Sequence, residues 1–391
     1  MPSRTAAFRL ERLPAAPFYI GFVLAGMATV LLGPILPVLT ARWSLTDFQA
    51  GSLFATQFAG STLGAILAPY FRHGGIILGY ALIAAGLAAL ALGNFSVVLL
   101  AFAMAGVGLG SANTGTNLLF GMESPDRRGA LLARVNLFWA VGAVSCPPFV
   151  AATVGPGTLR LLLLALALCA LAVFGALLLL FRRRPGEPEQ QSDPQPAGKM
   201  SPLIFLLFSL FLFLYVGGET SISGWIATYA HRFDRLSSER SSLYVSVFWV
   251  AIVLGRALTP VLVRRASEFV ALMGGSLAAM LGISMLHFPH APSVTLAATA
   301  LAGLGCAPLF PLGVARMLLR VGGSRHVGWI FAICGSGGAV LPWMTGFYSA
   351  HLGSLREAFA VPLAAIAGVL LVAVAERLLP VARPRVDVIL P

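Results

Sequence analysis

The chain has 391 residues, of which 58% are hydrophobic and only 10% are charged, and its formal net charge is +12. Soluble domains carry about 25% charged residues, so this composition excludes an ordinary soluble protein and indicates one that lies within a lipid bilayer. The basic balance does not indicate a nucleic-acid partner, because the charges fall between apolar segments instead of along one groove.

Twelve apolar segments are long enough to cross a bilayer as helices of about 20–25 residues. They lie near residues 17–41, 47–71, 75–94, 97–122, 129–153, 158–181, 201–230, 238–263, 267–288, 292–319, 325–351 and 356–379. The sequence therefore predicts an all-α membrane protein with twelve transmembrane helices.

The longest polar stretch covers residues 182–200 and opens with three consecutive arginines. It cannot bury a core and is typical of a flexible linker. It divides the chain into two six-helix halves. The predicted parts are an N-terminal arm at 1–16, a first bundle at 17–181, the linker at 182–200, a second bundle at 201–379 and a C-terminal tail at 380–391.

The distribution of basic residues predicts the orientation in the membrane. With the N-terminus in the cytoplasm, 19 of the 26 basic residues fall on the cytoplasmic side, six fall outside and Arg256 lies within a segment. Cytoplasmic loops of membrane proteins are enriched in Lys and Arg, and the inverse orientation would reverse this bias. We expect a multi-pass protein of the plasma (inner) membrane, with both termini and the linker in the cytoplasm.

An internal repeat supports the division into halves. Gly64–Pro69 and Gly255–Pro260 share Gly, Leu and Pro at a constant offset, and each runs into basic residues. Ala105–Gly108 and Ala302–Gly305 pair in the same order. Parallel six-helix halves related by an axis along the membrane normal are a transporter architecture.

Glycines at 106, 108 and 110 also have the spacing of a dinucleotide-binding loop. That loop must follow a β-strand, and here the glycines lie within an apolar helix. Close packing of helices explains them better, as it does the spacing of Gly60 and Gly64.

A carboxylate lies in the middle of the seventh segment, where Glu219 follows Gly217 and Gly218. A charged side chain at this depth costs about 2.5–3.5 kcal/mol and normally faces the protein interior or a water-filled cavity. Paired glycines predict a bend or local unwinding, which is where transporters place substrate sites. The alternative is a bent helix whose Glu219 is satisfied by its neighbours and has no transport role. No basic residue is expected at the depth of Glu219, because Arg256 lies closer to the cytoplasmic end and is a candidate gating residue.

Amide side chains donate and accept hydrogen bonds, as a neutral sugar requires, and tryptophans can stack on a sugar ring. The alternative is that the amides join neighbouring helices. The candidate substrate-binding residues are Gln57, Asn113, Asn117, Asn136, Trp139, Glu219, Trp225, Trp249, Phe310 and Trp343, with Glu219 also the candidate site for a coupling ion. No catalytic triad, Walker A loop or metal-binding cluster is present in the sequence, so neither an enzyme, a cofactor nor ATP-driven transport is predicted.

Four stretches carry a resemblance to the major facilitator superfamily, and more narrowly to its fucose–galactose–glucose symporter branch, which includes sodium-dependent glucose transporter-like proteins. Tyr215–Tyr229 resembles the branch pattern YVGxExxxxGWxxxY in helix seven. Phe248–Arg256 is similar to FW…GR in helix eight, Gly303–Pro311 to GLGxAPxFP in helix ten, and Gly337–Trp343 to GGAxLPW in helix eleven.

The chain departs from the family pattern at two places. The usual GxxxDRxGRR loop between helices two and three is replaced by a stretch without aspartate, in which Arg72 is the remaining candidate gating residue. Proton-coupled members also carry acidic residues in helices one and four, and this chain has none in the middle of either helix.

The resemblance implies a monomeric secondary-active or facilitative transporter of a small polar solute, a sugar above all, working by alternating access. A coupling proton or, as an alternative, a sodium ion would bind at Glu219. Two other functions stay open at this point: an exporter of amphipathic drugs or metabolites, and a non-transporting membrane receptor or scaffold.

Overall fold

The computed structural model describes residues 15–92, 95–121, 125–153, 158–182, 201–288, 291–321 and 326–379. The predicted N-terminal arm, the linker after residue 182 and the C-terminal tail lie outside these ranges. Every regular element within them is helical. The helices of the first half are α1 (Ala16–Val30), α2 (Leu32–Trp43), α3 (Asp47–Leu92), α4 (Phe95–Gly121), α5 (Pro125–Thr153) and α6 (Thr158–Arg182).

The second half repeats this organisation. Its helices are α7 (Pro202–Phe233), α8 (Ser238–Arg265), α9 (Glu268–Met285), α10 (Pro292–Cys306), α11 (Leu309–Val321), α12 (His326–Leu352), α13 (Leu355–Ala358) and α14 (Ala360–Leu378). Among the described residues, ten helical stretches are long and apolar enough to cross a membrane, and α1 with α2 forms one further, bent span.

Helix α3 supplies two spans. Only its second arm, His73–Leu92, is among the ten stretches, so its first arm brings the number of spans to twelve. Its 46 residues would extend about 69 Å as a straight helix, more than twice the thickness of a bilayer core. Instead the chain turns back near Pro69. The turn is visible from the distance between Gly75 and Ala68: a Cβ placed on Gly75 would lie only 3.4 Å from the carbonyl oxygen of Ala68.

Helix α4 shows that the two arms of α3 are antiparallel. On the first arm, Gly60 faces Ala103 and Gly64 faces Val107, so this arm runs parallel to α4.

On the second arm the order reverses. Gly79 faces Gly108 and Gly86 faces Ala101, so this arm runs antiparallel to α4. A Cβ at Gly79 or Gly86 would lie less than 3 Å from the facing carbonyl oxygen. The glycines of α4 therefore serve close helix packing, and the twelve predicted spans are confirmed.

The first span is bent by 44° at Leu31. Pro34 has no N–H to bond the carbonyl of Val30, so the helical hydrogen bonding is interrupted there. The predicted break at Gly217 and Gly218 is not observed, since α7 runs without interruption. These glycines serve contact instead: a Cβ on Gly217 would lie 2.7 Å from the carbonyl oxygen of Gly337 on α12.

The two halves meet mainly between the first arm of α3 and α12 and between α5 and α8, and α2 also packs against α7 and α8. We call the end of the bundle that carries Asp47, Arg232 and Ser349 the Asp47 face, and the opposite end, near Arg316 and Glu376, the Glu376 face. Within the second half, Glu376 of α14 is buried and binds both Arg316 and Arg320 of α11. This pairing joins two helices of one half and does not cross to the other.

Candidate functional site

An ion pair closes the Asp47 face across the two halves. Arg232 at the end of α7 donates from Nη1 to Asp47 Oδ2 at 2.7 Å and from Nη2 to Oδ1 at 2.5 Å. The hydroxyl of Ser349 on α12 donates to the same carboxylate. Asp47 begins the first arm of α3, so one carboxylate joins that arm to two helices of the second half.

The two halves also meet between α5 and α8, in a contact that we call the seam. Between α5 and α8, the hydroxyl of Ser246 donates to the carbonyl of Val144 at 3.3 Å. Deeper along the same helices, Trp139 and Trp249 meet edge to face with ring centroids 5.5 Å apart. The tryptophan pair is the innermost of these α5–α8 contacts.

On the Glu376 side of the tryptophan pair, α5 and α8 carry exposed polar residues. Asn136, one turn from Trp139, is exposed, and the side chain of Arg256, two turns from Trp249, is 36% exposed. Because α5 and α8 run in opposite directions, both residues lie on the same side of the tryptophan pair. We call the space that they border the cleft. Its other named wall residues are Asn117 on α4 and Glu219 on α7.

Three predicted asparagines form one network on the first-half wall of the cleft. Asn136 Nδ2 donates to the carbonyl of Leu132 at 2.8 Å and to Asn117 Oδ1 at 3.2 Å. Asn117 Nδ2 in turn donates to the carbonyl of Asn113 at 2.9 Å. The Oδ1 atom of Asn113 is buried and has no hydrogen-bond partner within the described ranges.

The predicted carboxylate lies on the opposite wall and has two partners. Tyr215 donates its hydroxyl to Glu219 Oε1 at 2.7 Å, and Arg256 Nη2 lies 3.5 Å from the same oxygen. The expectation that Glu219 lacks a basic partner was therefore wrong. The Arg256 backbone is closer to the Glu376 face, but a long arginine side chain reaches towards the carboxylate.

Tyr215 is a site residue that the sequence analysis did not single out. Its position four residues before Glu219 places both side chains on one helix face, which is a signal that could have found it. Phe310, a predicted binding residue, packs against the Tyr215 ring with centroids 5.7 Å apart. It therefore supports the tyrosine that holds the carboxylate.

Two predicted tryptophans lie on the closed side of the molecule. Trp225 is fully buried and donates from Nε1 to the carbonyl of Pro342 at 3.0 Å. Trp343 packs near the Asp47 face, with its ring 6.0 Å from that of Phe48. Neither ring joins the tryptophan pair at the cleft in this conformation.

Gln57 is buried between helices of the first half. Its Nε2 donates to the carbonyl of Thr29 at 3.1 Å, just before the bend at Leu31, and its Oε1 has no partner among the described residues. Arg72 lies in α3, but its side chain is outside the described part of the chain, and its predicted gating role stays a prediction.

Similarity to known proteins extends over most of the chain. The family model described as "Major Facilitator Superfamily" matches residues 18–326. A putative glucose/galactose transporter of Helicobacter pylori is 25% identical over 372 residues, covering 88% of this chain and 91% of that protein. The glucose/mannose transporter GlcP of Bacillus subtilis is 23% identical, covering 84% of this chain and 86% of its own length.

Solved structures share the fold along nearly the whole chain. A bacterial homologue of the human lysosomal transporter Spinster, in an inward-facing and unoccupied conformation, superposes with a TM-score of 0.75 at 15% identity, covering 92% of this chain and 94% of that one. The transporter FucP in the outward conformation gives a TM-score of 0.61 at 22% identity, covering 94% and 99%.

Proposed function

The chain belongs to the Major Facilitator Superfamily, and we propose that it carries a neutral sugar across the membrane by alternating access. Membership makes it a transporter and not an enzyme. The observation that carries the choice of solute is the chemistry of the cleft, where an asparagine network faces a carboxylate and a guanidinium below a pair of tryptophans.

The charges of the cleft favour a neutral solute. Glu219 and Arg256 are within ion-pair distance at 3.5 Å, so their charges compensate each other. A solute with a net charge would leave one of them uncompensated in a partly desolvated site, which is costly. Sugars are neutral, rich in hydroxyl groups and able to stack an apolar ring face on Trp139 or Trp249.

Known relatives agree with this choice. The proteins from Helicobacter pylori and Bacillus subtilis are named as sugar transporters, and their similarity covers most of both chains. An exporter of amphipathic compounds would gain little from the hydrogen-bonded amide network, so no feature of the cleft favours that alternative.

Orientation and conformation are parts of the same proposal. The excess of basic residues at one end supports cytoplasmic termini in the inner membrane, which places the Asp47 face outside. The closed Asp47 face and the open cleft would then be an inward-facing state. We propose that the protein works as a monomer, because each chain of this fold contains its own cleft between its two halves.

Ion coupling is proposed at Glu219. A proton on this carboxylate would remove the charge that faces Arg256, and so would link the ionisation of the site to the solute that enters it. The variant Glu219→Gln tests this step, since it keeps the shape and removes ionisation. It is expected to exchange sugar across liposomes and to lose accumulation driven by a pH gradient. If Glu219→Gln accumulates sugar as the wild type does, Glu219 is not the coupling site.

Binding to the purified protein is the first test of the function. D-glucose, D-galactose, D-mannose and L-fucose are added in a thermal-shift screen, because a ligand of the folded state raises its apparent stability by about 2.7 kcal/mol at 100 times its Kd. Counterflow of the same labelled sugar in liposomes then separates a carrier from a receptor. The proposal fails if none of the sugars raises the melting temperature or exchanges.

Substitution of the amides tests the site. Asn113→Ala and Asn136→Ala are expected to weaken sugar binding by about 1–3 kcal/mol, the cost of leaving a site group unpaired, while the protein stays folded. Tyr80→Phe is a matched control, since the Tyr80 hydroxyl is buried in the first half without a partner in the described part of the chain. Normal binding combined with aggregation of both asparagine variants would mean that the amides only join helices.

A further inference from the structure

The hydrogen bonds already made within the site determine which atoms remain for a solute. Asn136 uses Nδ2 as a donor to the carbonyl of Leu132 and to Asn117. A carbonyl oxygen can only accept, so the orientation of the Asn136 amide is fixed by this contact. The atom left over is Oδ1, which accepts no hydrogen bond from any described residue.

The carboxylate on the other wall is held in a similar way. Tyr215 and Arg256 both approach Oε1 of Glu219. Oε2 accepts from no residue in the described ranges, and it is absent from the buried polar atoms that lack a partner. One oxygen is thus anchored, and the other is not fully buried, in a side chain that is 12% exposed.

Both of these oxygens are hydrogen-bond acceptors, one on α5 of the first half and one on α7 of the second, whereas the donors left in the cleft are the other N–H groups of Arg256, whose side chain is 36% exposed. An amide oxygen cannot donate, and the carboxylate of Glu219 cannot donate in its ionised form, which is the form of the site considered for this step. We infer that the cleft recognises its solute through the hydrogen atoms of two hydroxyl groups, one directed to Asn136 Oδ1 and one to Glu219 Oε2. This inference rests on the proposed function, and it narrows the solute class to sugars that keep hydroxyl donors at both positions.

Fluorinated sugars distinguish a hydroxyl that donates from one that accepts. Replacing OH by F removes the donor and keeps a weakly accepting atom of similar size, whereas replacing OH by H removes both. Fluorine cannot donate a hydrogen bond to an acceptor oxygen. A deoxyfluoro analogue should therefore bind no better than the deoxy analogue at the two positions that face Asn136 and Glu219.

The experiment uses the full-length protein in proteoliposomes. D-glucose is compared with its 2-, 3-, 4- and 6-deoxy and deoxyfluoro analogues as inhibitors of D-glucose counterflow. At two positions we expect the deoxy and deoxyfluoro analogues to bind at least about 10-fold more weakly than D-glucose, within the range for an unpaired site group. If D-glucose itself does not bind, the series is run on whichever of D-galactose, D-mannose and L-fucose does.

One variant assigns a position to its acceptor. Asn136→Ala should bring the ratio between parent and deoxy affinity close to 1 at one hydroxyl and leave the ratio at the other hydroxyl unchanged. Tyr80→Phe should change neither ratio. A general loss of folding would lower both affinities together and would not move a single ratio.

The outcomes are separable. If fluorine preserves affinity wherever hydrogen loses it, the site groups act as donors and the inference is wrong, while sugar transport stands. If Asn136→Ala leaves both ratios unchanged, the assignment to Oδ1 is wrong. If none of the four sugars binds, the proposed function fails and the inference fails with it.

Discussion

The ion pair between Asp47 and Arg232 should control how often the closed face opens. It joins the two halves through a carboxylate whose side chain is 10% exposed and a guanidinium whose side chain is 34% exposed. A fully exposed pair contributes about 0.2–1 kcal/mol, and removing one partner of a buried pair costs about 3–5 kcal/mol. We take about 2 kcal/mol for this partly buried, bidentate pair, which is a factor of about 30 in an equilibrium.

The perturbation is Asp47→Asn, which keeps the size of the side chain and removes its charge. The assay uses Ser246→Cys, because the Ser246 hydroxyl bridges α8 to the Val144 carbonyl, and opening of the seam should expose a thiol at this partly buried position further. Cys169, which is exposed, is replaced by Ser in this background. We expect Asp47→Asn to raise the rate of labelling by an impermeant thiol reagent, applied on the Asp47 side, by about 30-fold.

A matched control separates this ion pair from general charge effects. Glu357 is exposed in α13, near the same face, and its side chain makes no ion pair with any described residue. Glu357→Gln should leave the labelling rate unchanged, and Ser349→Ala should raise it about 5-fold through the loss of one hydrogen bond of about 1 kcal/mol. If Asp47→Asn labels at the rate of Glu357→Gln, the ion pair does not hold this face closed and the reasoning is refuted.

Two further predictions concern packing and orientation. Gly106→Ala should lower the melting temperature strongly, because its Cβ would overlap the backbone carbonyl of Gln57, whereas Gly274→Ala has open space around it and should not; equal melting temperatures would contradict the packing. A cysteine placed between residues 183 and 200 should resist impermeant thiol reagents in intact cells, since the basic residues predict a cytoplasmic linker. Rapid labelling would mean that the orientation in the membrane is the reverse. Cysteine at Leu352, exposed near the Asp47 face, is the positive control for that experiment.

The number and position of the spans could be predicted because they depend on apolar length alone. A bilayer core requires about 20 apolar residues per helix, and the polar stretches between such segments are short. The close packing of α4 could also be predicted, since glycines at helical spacing favour close approach of two backbones. Each property belongs to one stretch of sequence and needs no knowledge of its neighbours.

The location of the helix break could not be predicted in the same way. Gly217 and Gly218 lack side chains but keep their N–H groups, so α7 stays hydrogen-bonded once neighbouring helices pack against the glycines. Pro34 removes an N–H that no neighbour can restore to the backbone. It lies in the first turn of α2, directly after the bend at Leu31. The sequence shows both features, but α5, α8 and α12 also contain prolines and run as single helices, so a proline alone does not predict where a helix breaks.

Site contacts between helices were the least predictable part. The bond from Asn136 to Asn117 joins residues 19 positions apart on two helices, and their register depends on loop residues that carry no such signal. The pairing of Arg256 with Glu219 was missed because depth along a helix describes the backbone, while the guanidinium lies several ångströms away along a flexible side chain.

The two ion pairs near the transport path differ in one respect that matters for mechanism. Asp47 and Arg232 belong to different halves, so their contact must break whenever the closed face opens. Glu219 and Arg256 belong to the same half, so a rocking motion between the halves can leave their contact intact. The first pair should therefore set the rate of interconversion, and the second should set affinity for the solute. In kinetic terms, changes at Asp47 should act mainly on kcat and changes at Glu219 mainly on KM, because only the latter residue remains beside the cleft throughout the cycle.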